Sequence, residues 1–102
     1  MSAWFYILRL KSGHFYVGST TDLSARYQAH CGGIACRTTE LDPPVALVYS
    51  EEHPTFHAAR QREAQVKKWT RAKKEALVAG DSAALRRLSK SHDEPLASGS
   101  ED

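Results

Sequence analysis

WFYILRLKSGHFYVGS, residues 4–19, decides the fold. Both arms of this stretch are rich in aromatic and β-branched residues, and KSGH between them is turn chemistry, so it reads as a β-hairpin. The length of the loop then sets the register. A three-residue loop of Lys11, Ser12 and Gly13, with Gly13 in the left-handed region, places Leu8 opposite Tyr16 and Tyr6 opposite Gly18. Both phenols then share one face of the ribbon. A two-residue loop would slip the pairing by one residue and send them to opposite faces. Gly13 favours the first geometry.

Outward from the hairpin, TTDLSARYQAH (20–30) predicts a short helix with Thr21 as its N-cap and Leu23 and Tyr27 available for packing. Arg26 and His30 are one turn apart and share a face, and His30 falls near the line of Leu23 and Tyr27. Two polar groups thus point inward or into a cleft. Residues 31–44, with two adjacent glycines and two adjacent prolines, read as loop, and VALVYS (45–50) as a third strand. Thr55 opens a helix on which Phe56, Ala59 and Val66 form an apolar stripe with Glu63 inside it. A carboxylate buried there needs a cation partner, a metal ion or a cleft to face. An ion pair with Lys67, four residues on, is the plainest structural explanation. Thr70 caps a further helix that ends near Gly80, and Asp81 caps a last one to about Leu88. The predicted order is β-β-α-β-α-α-α, an α/β (α+β) domain with a three-stranded, mainly antiparallel sheet flanked by helices.

The chain has 102 residues, 41% hydrophobic and 25% charged, which suits one globular domain able to bury a modest core. No stretch approaches the roughly 18 to 20 apolar residues of a membrane span, and the start lacks signal-peptide features. The expectation is a cytoplasmic monomer without membrane association. Cys31 and Cys36 are then expected as reduced thiols. All fourteen Lys and Arg lie within residues 1–90 against eight acids, while residues 91–102 hold four acids and no Lys or Arg. The domain is therefore assigned to 1–90, at a net charge of +6 (14 minus 8), and 91–102 to a disordered acidic tail. Basicity peaks in RQREAQVKKWTRAKK (60–74), where seven cations, Arg60, Arg62, Lys67, Lys68, Arg71, Lys73 and Lys74, face one acid. Such a run suits a polyanion partner as well as a solvated helix face.

Taken together, Tyr6, Tyr16, Gly18, Arg26, His30 and Glu63 resemble the site of the GIY-YIG nuclease family. The first motif stands here as WFY (4–6) and the second as YVG (16–18). TTDLSARYQAH, LVYSEEHP and REAQVKKWTRAKKEAL are similar to the small single-domain members. Trp4 and Phe5 replace the glycine and isoleucine of the family's name. The family often carries an asparagine on a helix after the glutamate, and this sequence contains none.

What the resemblance implies is a metal-dependent endonuclease that hydrolyses nucleic-acid phosphodiesters, DNA rather than RNA, with one Mg²⁺ or Mn²⁺. Glu63 would hold the ion, a hard cation suited to carboxylate oxygen and water. Arg26 would bind a non-bridging phosphate oxygen. Tyr6 would be the general base, Tyr16 its hydrogen-bonding neighbour against the phosphate, and His30 the group that orients or deprotonates Tyr6. Gly18 would let backbone approach the phosphate. Arg60, Lys67, Lys68, Arg71, Lys73 and Lys74 would bind the nucleic acid, and a protein partner would serve for targeting. Two other readings stand beside this one. A nucleic-acid-binding module on the same fold would use the basic helix with a weak or idle site. A zinc site on His30, Cys31 and Cys36 would still lack a fourth ligand.

Overall fold

The computed structural model describes residues 2–92, and side chains as far as Arg87. Its elements are β1 (Ala3–Leu10), β2 (Phe15–Thr20), α1 (Leu23–Cys31), α2 (Arg37–Leu41), β3 (Pro44–His53), α3 (Phe56–Lys67), α4 (Arg71–Ala79) and α5 (Ser82–His92). The strands form one antiparallel sheet in the order β2-β1-β3. A first compact unit, 1–68, holds the sheet with α1, α2 and α3, and a second begins at Trp69 and holds α4 and α5.

The hairpin forms as its loop chemistry requires. Leu10 N–H donates to the His14 carbonyl at 2.8 Å, and Gly13, at φ +96°, closes the three-residue loop between them. Tyr6 therefore pairs with Gly18 and Leu8 with Tyr16. Central strand β1 is buried on both faces, which is why its sequence runs nearly continuously apolar. Tyr6, Leu8 and Leu10 pack with Tyr16, Leu23 and Tyr27 on one side. Ala3, Phe5 and Ile7 alternate with them and are fully buried.

Helix α3, capped by Thr55, packs on β1 and β2, and two consecutive residues fix its setting. Arg62 grips Glu51 on β3 with Nε and Nη2, each at 3.2 Å, while Glu63 accepts from Ser19 Oγ on β2 at 2.6 Å. Side chains about 100° apart on a helix thus reach the two outer strands, and the helix lies over the central one.

Several details differ from the sequence-based expectation. Asp22 rather than Thr21 caps α1, its Oδ1 accepting from Ala25 N–H at 3.1 Å; Thr20 Oγ1 in turn accepts from Asp22 N–H. The third strand extends from Pro44 to His53 rather than stopping at Ser50, held by its pairing with β1. Residues 31–44 contain the one-turn helix α2, so the order is β-β-α-α-β-α-α-α. Five residues give no helical period to detect, and α2 is held by its buried Thr39. Phe56 lies outside the apolar stripe of α3 and is 42% exposed. In the second unit, Thr70 caps α4 and Asp81 accepts from Ala84 N–H at the start of α5, as expected. Helix α5 continues past the expected Leu88 to His92, so Ser91 and His92, expected in the acidic tail, are helical; the rest of that expected tail, 93–102, lies outside the described residues. Among the described residues, no helix is long and apolar enough to cross a membrane.

Candidate active site

The site is built around the hydroxyl of Tyr6. This ring is 3% exposed, and its Oη lies 2.8 Å from His30 Nε2. His30 comes from the last turn of α1 and is itself buried; its Nδ1 lies 2.8 Å from Thr39 Oγ1 on α2. The Thr39 hydroxyl in turn donates to the Cys36 carbonyl at 3.4 Å. Once its proton is so directed, Oγ1 accepts from Nδ1–H, and Nε2 is left to accept from the Tyr6 O–H. The tautomer of His30 that this network dictates is the one that can take a proton from the phenol. Tyr16 completes the group, its ring centroid 5.0 Å from that of His30 in an edge-on contact.

Burial dominates the electrostatics of these groups. It pushes the Tyr6 phenol up to about 12; the Arg26 guanidinium opposes this, and Glu63 adds to it. Tyr16 is pushed up further, first by burial and then by its hydrogen bond with the Cys36 thiol. His30 is held below the ordinary histidine range, again by burial and next by Arg26. The resting site therefore holds two neutral phenols and a neutral imidazole.

Gly18 has a second task besides the one its sequence position suggests. A Cβ there would lie 2.5 Å from Tyr6 Oη and 2.6 Å from Cζ, so the missing side chain makes room for the tyrosine opposite it. Groups from both faces of the sheet border one cleft at this edge strand. This opening, of about 260 Å³, is lined by Tyr6, Tyr16, Gly18, Ser19 and Arg26, together with Phe56, Arg60 and Glu63 from α3. His30 stands behind it.

Of the residues expected in the site, Tyr6, Tyr16, Gly18, Arg26, Glu63 and Arg60 line the cleft, and His30 supports it from beneath. Lys67 Nζ lies 3.6 Å from Glu63 Oε2, so Glu63 both faces the cleft and makes the plain ion pair. Lys68 is the exposed C-cap of α3. Arg71, Lys73 and Lys74 belong to the second unit, where Arg71 bonds Glu75 at 2.9 Å and the Lys73 ammonium stands 4.2 Å over the Trp69 ring. Three residues escaped sequence reasoning: Thr39, Ser19 and, as a member of the cleft, Phe56. Phe56 and Glu63 are seven residues apart on one helix, a spacing that does signal a shared face. A lone threonine or serine carries no such signal.

The donor set suits a hard divalent cation. Glu63 offers one carboxylate at the wall of an open, polar cleft, and Mg²⁺ is commonly held by one or two carboxylates with water and substrate phosphate supplying the rest. Among the described residues no three His, Cys, Asp or Glu side chains gather as a metal cage. A zinc site on His30 does not fit, because both its ring nitrogens are engaged, by Tyr6 and Thr39.

Fold and cleft define the class: a small α+β domain in which a hairpin's tyrosine pair meets a helix histidine and a carboxylate from a second helix. The family model of the GIY-YIG catalytic domain matches residues 2–76. The chain belongs to this nuclease family. It is 42% identical over 76 residues to a UPF0213 protein of Streptococcus sanguinis, covering 74% of this chain and 87% of that one. It is also 36% identical over 75 residues to the UPF0213 protein YazA of Bacillus subtilis, with 74% and 76% covered. The solution NMR structure of a UPF0213 protein from Bacillus halodurans superposes with a TM-score of 0.51 at 34% identity, covering 84% of this chain and 94% of that one.

Proposed function

We propose that this protein is a metal-dependent endonuclease that hydrolyses phosphodiester bonds in DNA, with Tyr6 as its general base. The observation that carries this reading is the 2.8 Å hydrogen bond from Tyr6 Oη to a buried, neutral His30, at the floor of a cleft walled by Arg26, Arg60 and Glu63. A phenol whose pKa stands near 12 is ionised in about one molecule in 10⁵ at pH 7, so a standing phenolate would cost about 7 kcal/mol. His30 removes the need for one. As the attacking water gives its proton to Tyr6 Oη, Tyr6 passes its own to His30 Nε2, and no charged phenolate has to persist. The water oxygen bonds to phosphorus, the ester bond to the leaving oxygen breaks, and solvent protonates that oxygen. Arg26 and Arg60 hold non-bridging oxygens as negative charge gathers on them. Glu63 would hold Mg²⁺ or Mn²⁺, which when bound supplies Lewis-acid stabilisation of the phosphate.

A binding module with an idle site is the second reading, and the Lys67–Glu63 pair favours it, because that pair accounts for Glu63 without a metal. One experiment separates the two: cleavage of labelled duplex, nicked, flap and single-stranded DNA and of RNA, with Mg²⁺, Mn²⁺ or chelator. The parent should cut at least one DNA form with metal and none with chelator. Tyr6→Phe, which keeps the ring, should slow cutting by roughly 10² or more with little change in binding. Glu63→Ala should abolish it while the fold persists. A parent that binds but cuts nothing under any metal establishes the binding module instead.

A further inference from the structure

A large aromatic ring left half-exposed beside a phosphate-sized cleft calls for a physical reason. Phe56 stands at the start of α3 with 42% of its surface open, and it lines the same cleft as Tyr6, Tyr16 and Glu63. Phe56, Arg60 and Glu63 lie at i, i+4 and i+7, so one face of α3 presents a ring, a guanidinium and a carboxylate in a row. At about 1.5 Å of rise per residue the row spans about 10 Å, with the carboxylate at one end and the ring at the other. Arg60 joins the two ends, because its Cζ lies 5.8 Å from the Phe56 ring centroid while the residue also lines the cleft. The ring borders a second hollow as well, along the flank of α3 with His57, Arg60, Gln61 and Ala64.

We propose that Phe56 is a stacking platform for an unpaired nucleobase of the nucleotide whose phosphate is held at Arg60. This assignment rests on the nuclease reading of the cleft and adds to it a preference for a substrate strand that is single-stranded at the cut. The chemistry selects this occupant. An apolar ring face beside a cation suits a flat, apolar group tethered to an anion, and a nucleobase on its phosphodiester is such a group. A base inside a duplex has both faces covered by its neighbours in the stack and can offer neither to Phe56. Arg60, whose guanidinium stands over the Phe56 ring, would hold the phosphate of the same nucleotide while the base stacks on the part of the ring that stays exposed, so charge and stacking select the strand together. Because every base has a π-face, the platform discriminates paired from unpaired bases and is tolerant of sequence.

The test reads binding, not cutting, so that its failure is separable from failure of the nuclease reading. Fluorescence anisotropy with chelator present would compare a labelled single-stranded oligonucleotide with the same strand in a blunt duplex, for the parent, Phe56→Ala, Phe56→Trp and Arg60→Ala. Phe56→Ala should weaken the single strand roughly tenfold and leave the duplex within about twofold, and Phe56→Trp should restore the difference. Arg60→Ala should weaken both forms. Phe56 is partly exposed near a helix start, so circular dichroism should show the fold unchanged in each variant. Equal losses for single strand and duplex, or no loss for either, overturn the platform whether or not the protein cuts. A platform seen in binding, with a parent that never cuts, would keep the subsite and reject the enzyme.

Discussion

A phenol can serve as a base only when something takes its proton, and in the proposed mechanism His30, 2.8 Å from Tyr6 Oη, is the group that would take it. The dependence on pH follows from the imidazole. Burial, and then Arg26, holds His30 below its ordinary value of about 6.5, so the folded protein binds that proton less readily than the unfolded chain. Stability from this group is therefore fully present above the unfolded value and is lost as pH falls toward the folded one. The same protonation removes the acceptor for the Tyr6 proton. Cleavage should stay level from pH 8 down to about 6.5 and fall only below it, and His30→Ala should remove that acid limb from the profile while lowering the whole curve. Gly18 tests the geometry of the same pair. Gly18→Ala puts a methyl 2.5 Å from Tyr6 Oη, which drives the ring from His30 or opens the hairpin. Either way cutting should drop by roughly 10² or more, with about 1–3 kcal/mol lost in chemical denaturation as the overpacked strand adjusts. A Gly18→Ala protein with the parent's stability and rate would show that the ring has room to spare.

Single elements decide whether those residues meet. The one-turn helix α2 bears directly on the site, because its fully buried Thr39 holds His30 Nδ1 and so leaves Nε2 to accept. Thr39→Val keeps the shape and removes the acceptor, and a buried donor left without a partner costs about 1–3 kcal/mol. Cleavage should fall and its acid limb should shift, while Thr39→Ser should restore the parent's profile; nitrogen NMR of the imidazole would show the ring leaving the Nδ1–H tautomer in the valine variant alone. An unshifted profile and tautomer in Thr39→Val would leave Thr39 with packing only. The hairpin register was legible in the sequence because Gly13 fixes loop length and the side-chain period of two does the rest. Arg26, His30 and Glu63 were legible because helical spacing sets them on faces with apolar residues, where a polar group stands out. Helix α2 was not, since one turn has no period and its hold on His30 is a contact between residues nine apart through a reversing loop. Phe56 was misplaced for a related reason. Periodicity places a residue on a helix face but not how far the sheet beneath extends, and at the first turn of α3 the ring falls at the cleft's rim.

At the scale of the molecule, charge rather than packing would govern how the proposed nucleic-acid substrate arrives. The basic run 60–74 spans the end of α3 in one unit and the start of α4 in the other, and the match to the GIY-YIG catalytic domain, ending at residue 76, includes both stretches. Its cations are not equivalent. Arg62 is committed to Glu51, Arg71 to Glu75, and Lys73 stands over Trp69, whereas Arg60 opens on the cleft and Lys68 is exposed at the helix end. Arg26, Arg60, Lys68 and Lys67, whose side chain stays 64% exposed beside Glu63 where that of Arg62 is 24% exposed, are therefore the residues that would neutralise phosphates from the first unit. Displacing counterions from about four phosphates gives a slope of about −3.6 in log K against log salt on duplex DNA, or roughly 10² in affinity between 50 and 200 mM. Counting Arg26 together with all seven cations of the run would double that slope. A salt titration by fluorescence anisotropy, with chelator present, thus reports how many of these cations engage, and Lys68→Ala should make the slope about one unit shallower. Residues 93–102 carry four acids and no Lys or Arg, so removing them raises net charge from +2 to +6. Affinity should rise in low salt and converge with the parent's as screening shortens the reach of the field. An affinity indifferent to salt, to Lys68 and to the acidic residues would mean that the cleft's ligand is not a polyanion, and the phosphodiester reading would fall with it.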